Sequence, residues 1–586
     1  MKTTLKYYKP YILYILLVIA FLFGQAMCEL ALPGYMSDII NNGIIKQDMA
    51  YIKHTGLIMI GVAAITVVCS IMGSLLAARA AAGSSRDIRR ALFRKVTSFS
   101  TAELNDFSTA SLITRSTNDV QMVQQATVMI LRMACFAPIM GIGAVIKALR
   151  TSVSLSWTVA LALAVIIAIM AVSFFLVLPK FQVLQSKLDK LNLLMKERLS
   201  GILVIRAFNT EKSEEKRFDI ANMDLTKLNM FTNKAMSFMM PMLMFVMNGV
   251  SILIVWAGAH LVETNDLLIG DMLAYLQYAM HVIMSFLFIT MIFIMIPRAV
   301  VSARRIGEVL DVEPSIEDPK PDSALQADST ASPVHRGLIE FDHVSFAYPD
   351  AEKEVLEDIS FTAEPGKITA VIGGTGSGKS SLISLIPRFY DVTKGSVRLD
   401  GTDVRDMTQH ELRDQIGYIP QKGLLFSGTI ASNLRYGNED ASDSELLEAA
   451  ETAQAIDFIR EKENGLEEEV AQGGTNVSGG QKQRLSIARA LVKKPRVYIF
   501  DDSFSALDFK TDKALREALK EKVGDSTILI VAQRINTIMD ADQIIVLDEG
   551  HLAGKGTHSE LLKTCDVYRE IALSQLSEEE LERGRE

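Results

Sequence analysis

Cysteine is scarce in this chain: Cys28, Cys69, Cys135 and Cys565 are the only four in 586 residues. They stand far apart, and three lie in apolar runs. This fits neither a disulfide framework nor a zinc site and leaves buried thiols in a reducing compartment. A basic tract is also missing, and the net charge of −9 speaks against a nucleic-acid partner. Lys2, Lys6 and Lys9 precede an apolar run, but no small-residue cleavage site follows it. That run therefore reads as a retained helix and not as a signal peptide.

Charge is absent from long stretches. A helix needs about 20 apolar residues to cross a bilayer. Runs without Asp, Glu, Lys or Arg cover residues 11–28, 55–78, 151–179, 235–262 and 272–297. The first span continues past Glu29 to residue 32, and a sixth is placed at 128–149 because the topology then closes. Its basic ends can snorkel to the interface. Six spans put both the N-terminus and the polar C-terminal half on one side. Arg79, Arg86, Arg89, Arg90, Arg94 and Lys95, then Lys180, Lys187 and Lys190, then Arg298, Arg304 and Arg305 mark that side as the cytoplasm. Lys147 and Arg150, on the short outer hairpin, are outnumbered.

The length implies two to four domains. The 49% hydrophobic content is concentrated before residue 300. Long charged connections at 80–127 and 180–234 are helical in pattern and reach into the cytoplasm. The polar, proline-bearing stretch 311–337 reads as a linker. The expected fold is thus an α-helical membrane domain over 1–310, with long cytoplasmic helical extensions, followed by a soluble α/β domain over 338–586.

After the linker, "KITAVIGGTGSGKSSLISLI" is an apolar strand, a glycine loop and an apolar helix. The loop Gly373, Gly374, Thr375, Gly376, Ser377, Gly378, Lys379, Ser380, with Ser381 behind it, has the spacing of a phosphate loop. Glycines let backbone N–H groups curl round the phosphates of ATP, Lys379 neutralises them, and Ser380 offers a hydroxyl to Mg²⁺. Further on come "NVSGGQKQRLSIARAL", with Ser478, Gly479, Gly480 and Gln481, and "VYIFDDSFSALD", in which Asp501 ends an apolar strand where it can hold the Mg²⁺ shell.

This combination resembles the ATP-binding-cassette (ABC) domain over about residues 338 to 575. The resemblance implies that Tyr348 in "FAYPD" stacks on adenine. Gln421 in "YIPQKGLLFSGTI" would link the Mg²⁺ site to the membrane domain, and Asp508 would end a loop at the dimer seam. With six preceding spans, the chain is similar to a half-transporter of the ABC exporter type, multi-pass in a bacterial cell membrane. The stretches "FSTASLITRSTNDV" and "ERLSGILVIRAFNTEKSEEKRF" are similar to the cytoplasmic loops that dock on the ATPase domains. Two chains are then expected per transporter, each phosphate loop closing on the partner's "SGGQ". An importer is disfavoured by the fusion of spans to ATPase. A dedicated peptide exporter is disfavoured because no protease domain fits before the first span.

The resemblance breaks at two positions. The family carries Glu after the strand-ending Asp, where this chain has Asp502. The family carries a switch His where "ILIVAQRINTI" has Gln533. Asp is one methylene shorter, and a misplacement of ~1 Å can cost ~10²-fold. Gln donates a hydrogen bond but relays no proton, and a positioned base is worth roughly 10²–10⁴-fold. The pairing is similar to the degenerate chain of asymmetric bacterial multidrug exporters. It implies a heterodimer in which this site binds ATP and hydrolyses it slowly, while the intact "SGGQ" completes the partner's working site. A slow homodimer and a gating subunit are the alternatives.

Cargo is the least defined. Met239, Met240, Met242, Met244 and Met247 in the fifth span, and Met280, Met284, Phe286, Phe288, Met291, Phe293 and Met295 in the sixth, suit either an adaptable cavity for hydrophobic drugs or lipids, or plain helix packing. Glu29 and His281 are ionisable groups at membrane depth. Glu29 can serve a cationic substrate or pair with Lys147 or Arg150, and His281 can equally bridge two helices.

Overall fold

Lipid offers no hydrogen-bond partner, so apolar runs of this length must satisfy their backbone internally as helix. In a computed structural model, which describes residues 2–319, 337–349 and 351–576, six long helices do so. They are α1 (Ile12–Asp38), α2 (Met49–Thr97), α3 (Thr109–Thr151), α4 (Ser156–Ser200), α5 (Glu211–Glu263) and α6 (Ile269–Leu310). By length and composition α1, α2, α3, α5 and α6 can cross a membrane, and α4 is apolar from Ser156 to Val172. α3 contains two π-helical turns, Arg115–Asp119 and Ile130–Ala134.

Two expectations need correction. The fourth span starts at Ser156 and not at residue 151, because Ser152 turns extended (φ −158°, ψ 114°) and closes α3 through its N–H to Ala148. The turn residues Val153 and Leu155 are as apolar as the helix, so the absence of charge hides the break. The first domain is also not continuous over 1–310. Contacts divide the chain into Met1–Val96 with Ala110–Val312, and Thr97–Thr109 with Glu313–Glu586. Most of the linker, residues 320–336, lies outside the described residues.

In the second unit, strands with unbroken apolar runs form the six-stranded sheet expected when helices cover both faces. The strands are β1 (Ile339–Phe346), β2 (Leu356–Ala363), β3 (Ile368–Gly373), β4 (Lys394–Leu399), β5 (Thr402–Asp403), β6 (Ile416–Ile419), β7 (Gly428–Thr429), β8 (Glu469–Val470), β9 (Val497–Asp501), β10 (Thr527–Val531), β11 (Gln543–Asp548) and β12 (His551–Gly556). The main sheet runs β12-β11-β3-β10-β9-β6, parallel except for β12, and β2-β1-β4-β5 form an antiparallel sheet. Every residue of β9 and β10 is buried. Thr97–Thr109 joins this unit through Glu103, which is buried and accepts from the N–H groups of Ser100 (2.7 Å) and Ser315 (2.9 Å). The segment that packs here therefore starts ten residues before the quoted "FSTASL" stretch.

In the membrane unit, α1 and α6 are tied where α1 ends. Ser37 Oγ donates to Asp271 Oδ1 (2.5 Å), Asn41 Nδ2 donates to Ser37 Oγ (3.0 Å), and Asn41 Oδ1 accepts from the Gly270 N–H (2.9 Å). Asn41 is buried, so its removal strands a donor and an acceptor at about 1–3 kcal/mol each. Asn41→Leu is expected to lower the melting temperature of the purified chain clearly. Asn42→Leu, which loses only an exposed bond from Lys46, should leave it unchanged. Differential scanning fluorimetry in one detergent checks the pair.

Candidate functional site

Parallel strands present their carboxyl ends on one edge, and in α/β sheets ligands bind outside that edge. Here β3, β10, β9 and β6 are neighbours, with Val371 opposite Val531, Val531 opposite Asp501 and Ile419 opposite Phe500. The next residues along each strand are therefore brought together. Gly373 ends β3, Gln533 follows β10, Asp501 ends β9 with Asp502 directly after it, and Gln421 follows β6.

The loop after β3 needs its glycines. A Cβ on Gly373 would meet Leu547 O at 2.1 Å, and Gly378 has φ +95° with Leu356 beside it. Lys379 Nζ reaches back to Gly373 O (2.9 Å) and Gly374 O (2.6 Å), so the ammonium lies inside the loop. Burial pushes it below the ordinary lysine range, against the pull of Asp502 and Asp501. Thr375, Gly376 and Ser377 form the crest, and Ser381 Oγ lies 2.8 Å from Tyr348 OH.

Ser380 Oγ donates to Asp501 Oδ1 at 3.3 Å, and Tyr418 OH donates to Asp501 Oδ2 at 3.2 Å. A hydroxyl beside a carboxylate is a hard oxygen pair, which fits Mg²⁺ shared with ATP phosphates, an ion that takes few protein ligands. Asp502 is 7% exposed, sits at φ +46°, and has one oxygen doubly engaged. Gln421 Nε2 (3.0 Å) and Gln533 Nε2 (2.9 Å) both donate to Asp502 Oδ2. Burial pushes both carboxyls above the ordinary range, and Asp501 is raised further by the Asp502 charge beside it. The three residues singled out for catalysis thus meet at one atom.

The other singled-out residues lie elsewhere. Ser478 caps α7 (Gly479–Val492) in a reciprocal pair with Gln481, and Ser478 and Gly479 are exposed. Asp508 caps α8 (Phe509–Lys522) through Thr511. Tyr348 is 37% exposed and stands edge-on to Tyr390, with ring centroids 5.2 Å apart. Tyr418 and Tyr390 were missed as site residues. Tyr418 was within reach, because it lies on β6 three positions before Gln421; nothing local marks Tyr390, whose OH accepts from Asn105 Nδ2 (3.3 Å).

In the membrane unit Glu29 accepts from Gln25 Nε2 (2.8 Å), and among the described residues it forms no ion pair with Lys147 or Arg150. Met239, Met247, Met280 and Phe286 pack against the unit's core, whereas Met242, Met244 and Met284 are exposed. Phe288 and Met295 are half-buried. The side chains of Met240, Met291 and Phe293 lie outside the described ones.

Comparison with known proteins places these features in context. Residues 15–286 match the family described as the ABC transporter transmembrane region, and residues 356–505 match that described as ABC transporter. Tyr348 and Gln533 fall outside the second match. An uncharacterized ABC transporter ATP-binding protein of Mycobacterium tuberculosis is 38% identical over 97% of both chains. One from Bacillus subtilis is 39% identical over 99% of both. The ATP-dependent lipid A-core flippase of Pseudomonas fluorescens is 31% identical over 97% of this chain and 95% of its own. A solved bacterial Atm1-family ABC exporter with ATP bound shares the fold, with a TM-score of 0.76 at 24% identity over 98% of both chains.

The two raised carboxyls carry a sign. The folded chain keeps protons that the unfolded chain has released, so their contribution to stability falls as pH rises from the ordinary carboxylate range through the folded-state pKa values. Asp502→Asn removes one buried charge. It is expected to raise the melting temperature of the nucleotide-free chain at pH 7.5, with the gain shrinking towards pH 4. A pH series of melting curves for both proteins checks this.

Proposed function

The chain belongs to the ABC transporter family, and from that premise we propose that it is the slow half of a heterodimeric exporter. The coarse activity, ATP-driven export by a membrane domain fused to an ATPase, comes with the family. The division of labour between two unlike chains is the proposal. The observation that carries it is the clasp of Gln421 and Gln533 on Asp502.

In this reading Lys379 and the loop N–H groups bind the phosphates, and Tyr348 takes the adenine. Ser380 and Asp501 hold Mg²⁺, with Gln421 beside them; the ion supplies neutralisation of phosphate charge. What the chain supplies poorly is a base for the attacking water. Asp502 is short, and two donors already occupy its Oδ2. Gln533, in the switch position, spends its amide on that carboxylate and cannot relay a proton. A buried carboxylate held this way can position nucleotide but is a weak activator of water.

The exposed start of α7 supports the other half of the reading. Ser478, Gly479, Gly480 and Gln481 open this helix, with Ser478 and Gly479 exposed and Ser478 pre-set by its cap. A surface of this kind completes a site on a second chain, with Asp508 at the same seam. The cargo proposed is hydrophobic or amphipathic, drug or lipid. The relatives named as lipid A-core flippases and the exposed Met242, Met244 and Met284 both support that class. The residues that would act on the cargo lie within the membrane-spanning helices.

The test is asymmetric. In the assembled transporter, replacing the partner's catalytic Glu by Gln is expected to lower ATP turnover by roughly 10²-fold or more. Asp502→Ala should change it by less than about twofold. Ser478→Ala and Gly479→Ala should cost more than Asp502→Ala, because those residues serve the partner's site. Equal losses from the two carboxylate variants would contradict the division of labour.

A further inference from the structure

Strand β10 ends at Val531, and Ala532 keeps one last ladder bond, its N–H donating to Val371 O at 3.2 Å. A short helical turn starts at Ile535. Gln533 and Arg534 between them are exposed and have left the sheet. Backbone in that position swings freely unless a group from elsewhere pairs with it.

One side chain does. Gln575 Nε2 donates to Gln533 O at 2.8 Å, and the Ile535 N–H donates to Gln575 Oε1 at 2.9 Å. A carboxamide carries a carbonyl and an N–H donor on one carbon. It therefore bonds a C=O and the N–H two residues on, as a neighbouring strand does. Among the described residues no other hydrogen bond holds the Gln533 carbonyl or the Ile535 N–H.

Gln575 is itself anchored. The helix Asp566–Leu573 sets Val567, Tyr568, Ile571 and Ala572 on one face. Tyr568 and Ala572 are buried, and Val567 and Ile571 pack against the core of the main sheet. Tyr568 OH also lies 2.7 Å from His558 Nδ1. Gln575 follows within a turn, its N–H bonded to Ala572 O (3.1 Å). The anchored helix thus carries the clamp, and the clamp carries the residue whose Nε2 donates to Asp502 Oδ2.

We propose that Gln575 is a positioning residue for the nucleotide site, aiming the Gln533 amide from the C-terminal helix. Residues that orient the attacking water stand at the terminal phosphate of ATP. A misaimed Gln533 is therefore felt by a triphosphate and not by a diphosphate. The proposal rests on the nucleotide site that comes with the family and is independent of which chain hydrolyses.

Binding is measured on the full chain in lipid nanodiscs by calorimetric titration with AMP-PNP, a triphosphate that is not hydrolysed, and with ADP, both with Mg²⁺. Gln575→Ala is expected to weaken AMP-PNP by about fivefold, the net worth of roughly one hydrogen bond, and to leave ADP within about twofold of native. Ser574→Ala, whose Oγ bonds Ile571 O within its own turn (2.7 Å), should match native for both nucleotides. Gln575→Glu separates aim from packing. When ionised it offers the Gln533 carbonyl no donor, and when protonated it restores one donor and one acceptor. Its AMP-PNP affinity, taken as a ratio to native at each pH, should rise as pH falls from about 8 to about 5, since a carboxylate held against a carbonyl oxygen favours its protonated form. Three results overturn the assignment: AMP-PNP affinity within about twofold of native in Gln575→Ala, an equal fall for ADP, or a Gln575→Glu ratio that stays flat or drops on acidification. Brisk ATP turnover by the native chain removes the slow-half reading and leaves this test standing, whereas native binding of neither nucleotide removes both.

Discussion

Two amides on one carboxylate oxygen organise the nucleotide half of this protein. Asp502 is buried at the end of β9, and Gln421 from β6 and Gln533 from β10 both donate to its Oδ2. The parallel register of β3, β10, β9 and β6 makes the meeting possible, because it sets four strand ends on one edge. The same edge carries the phosphate loop, and Asp501 lies beside Ser380. The strands thus fix a place for ATP whatever the chemistry that follows. In the proposed function the clasp then sets how well water can be activated there. A side chain in the left-handed region, at φ +46°, suits Asp better than a longer acid, since short polar residues are enriched in that conformation.

Much of this site was legible because it lies in short contiguous motifs. Gly373 to Ser380 form one loop, Ser478 to Gln481 one helix start, and Asp501 to Asp508 one strand end and its turn. Each spacing carries its own physical reason. The long-range meetings were not legible from spacing. That Gln421 and Gln533 share one oxygen of Asp502 depends on strand order, which no local pattern states. Tyr390 depends on packing against Tyr348 and on Asn105, 285 residues away in sequence. In the membrane half, absence of charge located the helices, but it could not see the turn at Ser152, whose neighbours are apolar in helix and loop alike. The join of Thr97–Thr109 to the second unit was hidden for another reason: Glu103 reads as an exposed helix charge until its partner Ser315 is in place.

The two halves solve one problem with different means. In the second unit, burial of apolar strands sets the frame, and polar groups meet at its edge. In the membrane unit, burial offers little discrimination because lipid is as apolar as the side chains. There, hydrogen bonds such as those of Ser37, Asn41 and Asp271 set which helices meet. An exporter needs both: a frame that holds ATP and a membrane surface selective for what it moves.

Phosphate release by the purified chain alone in lipid, measured beside the double variant Asp502→Glu with Gln533→His, tests the central claim most directly. The account predicts that the native chain retains ATP in a filter-binding assay yet is nearly silent, and that the variant gains turnover. Brisk hydrolysis by the native chain would contradict it, because the clasped aspartate would then be a competent base.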